Sequence, residues 1–191
     1  MKKYIKLFLF FLVFMNIISC SGSKYPYDKP LNMVFDRNIR LNYNLLPVIP
    51  EGWFVANTDS LPDNIILLLI ENNYRSFISL SEFKISKLAR ELINKKGLKE
   101  LALLSIELKN EKTNNNIKIC SDFLKYSIDD KDFIVYDYML NDLSDTARTI
   151  IFRKDDNYYE LTAIQNNENK NRIITRDSVL IVQFNVFKKI L

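Results

Sequence analysis

The spacing of apolar positions changes several times along this chain, and each change marks an element. Leu7 to Ile18 run apolar with one polar break at Asn16, behind Lys2, Lys3 and Lys6 and ahead of Ser19-Cys20. A cationic start, about a dozen apolar residues and a small residue at the cut are the layout of a secretory signal, here residues 1–19. The run is also shorter than the roughly 20 residues a spanning helix needs. Residues 20–44 are polar and broken by Tyr25-Pro26-Tyr27 and Lys29-Pro30, where extended or turn geometry precedes each proline. This region reads as a tether to about Pro30, followed by Met33-Val34-Phe35 and Ile39-Arg40-Leu41 as candidates for a short strand. A single globular domain is expected over 45–191.

Within that domain, Pro47 to Gly52 is a turn-rich entry to Trp53-Phe54-Val55, the first strand. Ile65 to Ile70 is a continuous apolar run, as in a strand covered on both faces. Asn72-Asn73 then turns the chain into Tyr74 to Phe83, where Phe77, Ser79 and Ser81 alternate with Ile78, Leu80 and Glu82. The period lengthens after this. Ile85, Leu88, Ala89, Leu92 and Ile93 recur at helical steps, with Ser86 as N-cap and Gly97 as stop. A second stripe, Leu98, Leu101, Ala102, Ser105 and Leu108, predicts another helix. The polar faces of the pair mix Lys, Arg and Glu, so the helices are expected to cover a sheet rather than bind a membrane surface.

Four strands are predicted next, over Asp122 to Ile128, Asp132 to Leu140, Arg148 to Lys154 and Tyr158 to Gln165. Their short polar connectors favour antiparallel neighbours, since a parallel pairing needs a long crossover. Phe133, Val135 and Asp137 are expected on one side, and Ile134, Tyr136 and Tyr138 on the other. The last stretch carries two signals. Val179 to Val182 is branched like a strand, while Val179, Val182, Val186 and Ile190 fit a helical face that Asp177 can cap. A helix covering the sheet is the reading adopted.

Strands, a helical pair, a strand meander and a closing helix give an α+β sandwich around a largely antiparallel sheet. Four stretches carry a family likeness: Pro50-Glu51-Gly52-Trp53, the helix ending near Gly97, Phe133-Ile134-Val135-Tyr136, and Phe187-Lys188-Lys189-Ile190-Leu191. In their order and length they resemble the PsbP-like fold of the extrinsic photosystem II protein and its bacterial relatives. The resemblance implies a three-layer α/β/α sandwich that serves as a binding or assembly module rather than an enzyme, with no catalytic residue to carry over. Separately, Ile17-Ile18-Ser19-Cys20 resembles the lipobox of bacterial lipoproteins. That resemblance implies a Cys20 lipidated on its sulfur, exposed as the mature N-terminus and then acylated. With Ser21 rather than Asp next, it further implies a place in the outer membrane, facing the periplasm.

Composition narrows the choices. Removing 19 of 191 residues leaves 172, enough for one domain with a sizeable core. Three of the 27 basic residues and none of the 23 acidic ones fall in the signal, so the formal charge of +4 becomes 24 against 23. A near-neutral body gives no electrostatic case for a nucleic-acid partner. With Cys20 committed to lipid, Cys120 has no partner in the chain, and it reads as a small buried hydrophobe rather than a reactive thiol.

Absent residues exclude chemistry. No histidine occurs, which removes imidazole-based triads and His-containing zinc sites. Three glycines cannot build a phosphate-cradling loop. Ser21-Gly22-Ser23-Lys24 and Ser81-Glu82-Phe83-Lys84 are the Ser-x-x-Lys spacings considered, and neither stands at a plausible site. Asp129, Asp130 and Asp132 offer oxygen ligands, but the glycine and closing Glu of a calcium loop are missing, so no metal or other cofactor is expected. The candidate binding residues are aromatic: Trp53, Tyr136, Tyr138, Tyr158 and Tyr159. An outward set sharing one face can stack on a sugar or grip a protein, whereas the competing reading is cross-strand packing. The expectation is therefore a non-enzymatic lipoprotein of the envelope, bound to the bilayer through its lipid and to a protein or glycan partner. The alternative is a small glycosidase-like hydrolase using two carboxylates.

Overall fold

The computed structural model describes residues 25–35, 48–57, 61–114, 116–140, 145–165 and 173–191. The signal, Cys20 and Ile39-Arg40-Leu41 lie outside the described residues. Ten strands and three helices are described, in the order β1 (Met33–Phe35), β2 (Val48–Pro50), β3 (Trp53–Val55), β4 (Ile65–Glu71), β5 (Ser76–Glu82), α1 (Lys87–Lys96), α2 (Leu98–Lys112), β6 (Ile117–Ile119), β7 (Leu124–Ile128), β8 (Lys131–Leu140), β9 (Thr146–Lys154), β10 (Asn157–Gln165) and α3 (Ile173–Ile190).

The main sheet runs β3-β4-β5-β10-β9-β8-β6, with β7 also paired to β8, and its strand pairs are antiparallel. Short turns join the central strands. Asp129 and Asp130 both take positive φ, at 47° and 61°, as the tight two-residue turns of twisted hairpins require. Alternation along β8 sends Phe133 and Val135 to one face and Ile134, Tyr136 and Tyr138 to the other, as the pattern predicts.

Helices cover both faces. On one side α1 and α2 bury Ile93, Leu101, Ala102 and Ile106 against Ile134, Tyr136, Ile151 and Tyr158. Ser86 caps α1, its Oγ accepting from the Ala89 amide at 3.2 Å, and Gly97 ends it at φ 91°. On the other side α3 buries Val179, Val182, Phe184, Val186 and Phe187 against Phe133, Val135, Ile150 and Phe152. The ambiguous last stretch is thus a helix.

Residues 25–30, expected to be a free tether, instead pack on the domain. Tyr25 is 4% exposed and meets Tyr126, Phe133 and Phe184 with its ring. Asn185 on α3 donates to the Lys29 carbonyl at 2.8 Å, and Lys188 pairs with Asp28. The segment is a strap alongside α3, filling the angle between that helix and the β7, β8 and β9 strands of the sheet. Tyr25, Tyr27 and Leu31, which precede the stretch read as the globular domain, thus pack with its core. Met33–Phe35 forms the expected short strand, paired to β2 in a separate two-stranded sheet.

Cys120 is a second correction, being exposed. The chain leaves the ladder there: β6 ends at Ile119, the Cys120 amide donates to the Asp137 carbonyl at 2.8 Å, and the Ser121 hydroxyl accepts from the Asp137 amide at 2.8 Å. Strand pairing with β8 resumes at Leu124, two residues later than predicted.

Candidate functional site

The aromatic candidates do not converge on one outer surface. Trp53 is 8% exposed within the α3-side core, and Tyr159 is half-buried there, stacked on Phe152 at 5.5 Å. Tyr136, Tyr138 and Tyr158 are buried on the opposite face, under α1 and α2. Burial pushes the phenols of Tyr136 and Tyr138 well above the ordinary tyrosine range. Four of the five rings thus fill the core, and the reading of a shared binding face is corrected. Large rings on neighbouring strands pack well across a sheet, which is why they cluster in sequence without forming a site.

A polar cluster beneath α2 went unread in the sequence. Ser105 and Lys109 stand one turn apart, and Lys109 Nζ donates to Ser105 Oγ at 2.6 Å, to Tyr136 Oη at 3.3 Å and to Glu160. The Ser105 hydroxyl lies 2.9 Å from Tyr136 Oη and donates to the other Glu160 oxygen. Thr162 joins through Glu160 at 3.0 Å and Thr149 at 2.9 Å. The available signal was Ser105 inside an apolar helical stripe, four residues before a lysine. A Ser-Lys nucleophile needs a lysine that gives up its proton and a hydroxyl that substrate can reach. Here Lys109 donates to three oxygens and Ser105 is 2% exposed. The cluster is built to fasten α2 to the sheet.

Among the described residues, a cleft of about 440 Å³ opens at one end of the sheet. Ile93, Leu98 and Tyr158 contribute apolar surface, while Asn94, Asp130, Lys131, Asp132, Arg153, Lys154 and Asp155 supply polar groups. Tyr158 is held in place by its hydroxyl, which donates to Asn94 Oδ1 at 2.8 Å. The guanidinium groups of Arg90 and Arg153 each lie 5.8 Å from its ring centre. The cations of the rim are engaged within the fold: Lys131 Nζ donates to the Leu191 carbonyl at 2.8 Å and Lys154 Nζ to the Ile190 carbonyl at 2.6 Å, closing the C-terminal end of α3. Arg153 reaches the Asp155 carbonyl and the Asp156 carboxylate, each at 2.9 Å.

The cleft gathers Asp130 and Asp132, two of the carboxylates weighed from sequence, together with Asp155 of the β9–β10 turn. A hydrogen bond from Lys125, then one from Ser127, holds Asp132 below its ordinary pKa, so it stays ionised and is unsuited to act as a general acid near neutral pH. Among the described residues no group of three His, Cys, Asp or Glu side chains is arranged to hold a metal.

No family model matches the chain, and no curated protein matches its sequence. Its structure is similar to the solution structure of cyanobacterial PsbP (CyanoP) from Synechocystis sp. PCC 6803, at a TM-score of 0.55 and 10% sequence identity, over 91% of this chain and 97% of that one. The fold is PsbP-like, an α+β sandwich with a largely antiparallel sheet between helical layers. At that identity the likeness speaks for the fold alone.

Proposed function

We propose that the chain is a lipid-anchored protein of the bacterial envelope, held through Cys20 in the outer membrane and facing the periplasm. Its domain binds an envelope component, protein or glycan, in the cleft beside Tyr158 and performs no reaction of its own. The observation that carries this reading is the construction of the cleft. An apolar floor is fixed by the Tyr158–Asn94 bond, and rim cations already tied to the backbone of α3 give a preformed recess suited to recognition. The PsbP-like fold supports it, as does the Ile17-Ile18-Ser19-Cys20 signal. Four residues lie between Cys20 and the buried ring of Tyr25, a reach of at most roughly 18 Å, so an anchored domain sits close to the bilayer.

Two measurements test the two halves. Labelling with a fatty-acid analogue should mark the wild-type chain at Cys20, and Cys20→Ser should lose both the label and membrane retention; a retained, unlabelled chain with its first 19 residues attached overturns the anchor. A photo-crosslinking side chain at the exposed cleft position 155 should trap one envelope component, and Asn94→Ala, which releases the Tyr158 hydroxyl, should weaken the adduct. The alternative, a carboxylate-dependent hydrolase, draws on the three aspartates in the same cleft. Release of reducing ends from envelope glycan by the wild type, lost in Asp155→Asn, would replace the binding reading with that one.

A further inference from the structure

The sheet buries one side of α1 and one side of α2, and their remaining sides share the outer surface of that helical layer. On α1 this surface carries Leu88, 77% exposed, and Leu92, 44% exposed, one turn apart. Lys87, Lys95 and Lys96 are exposed around them, against one exposed acid, Glu91. On α2 the positions Glu100, Leu103, Glu107 and Glu111 recur at three- and four-residue steps, giving a stripe on one side of the helix. Leu103 there is 44% exposed, and Glu107 and Glu111 are exposed. Lys96 and Glu100 pair with each other where the two helices meet, at 3.7 Å, which leaves Lys87 and Lys95 with Leu88 and Leu92 beside Glu107 and Glu111 with Leu103.

We infer that this surface is self-complementary and pairs two copies of the chain. A two-fold axis sets α1 of one copy against α2 of the other and repeats the contact in reverse, so lysines meet glutamates twice while leucines leave water. The mixed signs select this occupant. An anionic membrane would attract α1 but repel the glutamates of α2, and an acidic peptide would meet the same repulsion. Helices of 10 and 15 residues present stripes about 15 and 22 Å long, so each copy covers roughly 400 Å², about half of what a stable interface buries per partner and in the range of weak encounters. Pairing is accordingly weak in free solution.

Sedimentation equilibrium of the full chain in density-matched detergent should show one chain mass rising toward two as concentration increases. Reversing α1 with Lys87→Glu and Lys95→Glu, or α2 with Glu107→Lys and Glu111→Lys, should each weaken pairing about tenfold or more. Combining all four should restore it. These side chains are exposed, so the fold survives the changes, and Leu88→Ser offers an uncharged second probe that should also weaken pairing. A single chain mass at every concentration, indifference to either reversal, or failure of the combined variant to pair overturns the inference.

Discussion

Arg148 and Asp137 face each other across β9 and β8, with Nε donating to Oδ1 at 2.6 Å and Nη2 to Oδ2 at 2.7 Å. Their side chains are only 12% and 10% exposed. The strap closes over them: the Tyr27 ring lies 4.6 Å from the guanidinium carbon, and Tyr25 Oη accepts from Nη1 at 3.4 Å. Burial and the bidentate partner together make this pair dangerous to halve. Asp137→Ala should leave a buried, uncompensated guanidinium and cost about 3 kcal/mol, read as a fall in the denaturant midpoint. The double variant Asp137→Leu, Arg148→Met should recover most of that loss, because neither charge then remains buried alone.

Alkaline pH attacks the same region. Burial raises the Tyr25 phenol from its ordinary 10 to about 12, against the pull of Arg148. The unfolded chain therefore releases this proton first, so the stabilisation is full below pH 10 and is lost as pH rises through about 12. Tyr136 and Tyr138 shift in the same direction. Phenolate absorbance should show a late, cooperative fraction coincident with loss of the near-ultraviolet dichroism. Tyr25→Phe should lessen the dependence of stability on pH above 10.

Local rules were readable in the chain and long-range ones were not. The Ser86 cap, the Gly97 stop, the two faces of β8 and the Asp129-Asp130 turn each depend on neighbours within a few residues. The burial of Tyr25 depends on Arg148, 123 positions away, and no periodicity announces it. The last helix read ambiguously for a related reason: with both the sheet and the strap packed against it, little of it needs to be polar, and the amphipathic signal disappears. The cleft was legible only in pieces, as Gly97, Tyr158 and two aspartate turns that topology brings to one end of the sheet. The aromatic set was visible, but composition cannot say which way a ring points.

Lys109 and Glu160 pose a test of whether the cluster under α2 serves stability. Their side chains are 20% and 13% exposed, and the carboxylate also accepts from Ser105 and Thr162. Lys109→Met alone should cost about 3 kcal/mol by stranding the carboxylate, and Lys109→Met with Glu160→Leu should cost clearly less. A double-mutant cycle on thermal unfolding would measure the coupling. Equal losses in both variants would mean that packing, not charge pairing, holds α2 down.

Gly97 separates backbone strain from crowding. It sits at φ 91° and ψ 177°, and a Cβ built there meets nothing within 4 Å. Gly97→Ala should therefore cost about 1–2 kcal/mol through conformation alone. The change in melting temperature should be similar for Ala and Ser, since neither side chain encounters a neighbour that size would worsen.

The strap makes the sharpest prediction. Tyr25 fills a space between Tyr126, Phe133 and Phe184, and its segment is otherwise held by the Asn185–Lys29 bond and the Lys188–Asp28 pair. Removing the ring leaves a large cavity, so Tyr25→Ala should cost about 3–5 kcal/mol. Tyr25→Phe keeps the ring and gives up what the hydroxyl engages, the 3.4 Å bond from Arg148 included, so it should cost about 1 kcal/mol, far less than loss of the ring. Limited proteolysis distinguishes this from a generally weakened domain. If residues 25–30 belong to the core, the wild-type chain resists cleavage there while Tyr25→Ala is cut at the strap before the sheet unfolds. Rapid cutting of the wild type between Tyr25 and Pro30 would return the segment to the role of a free tether.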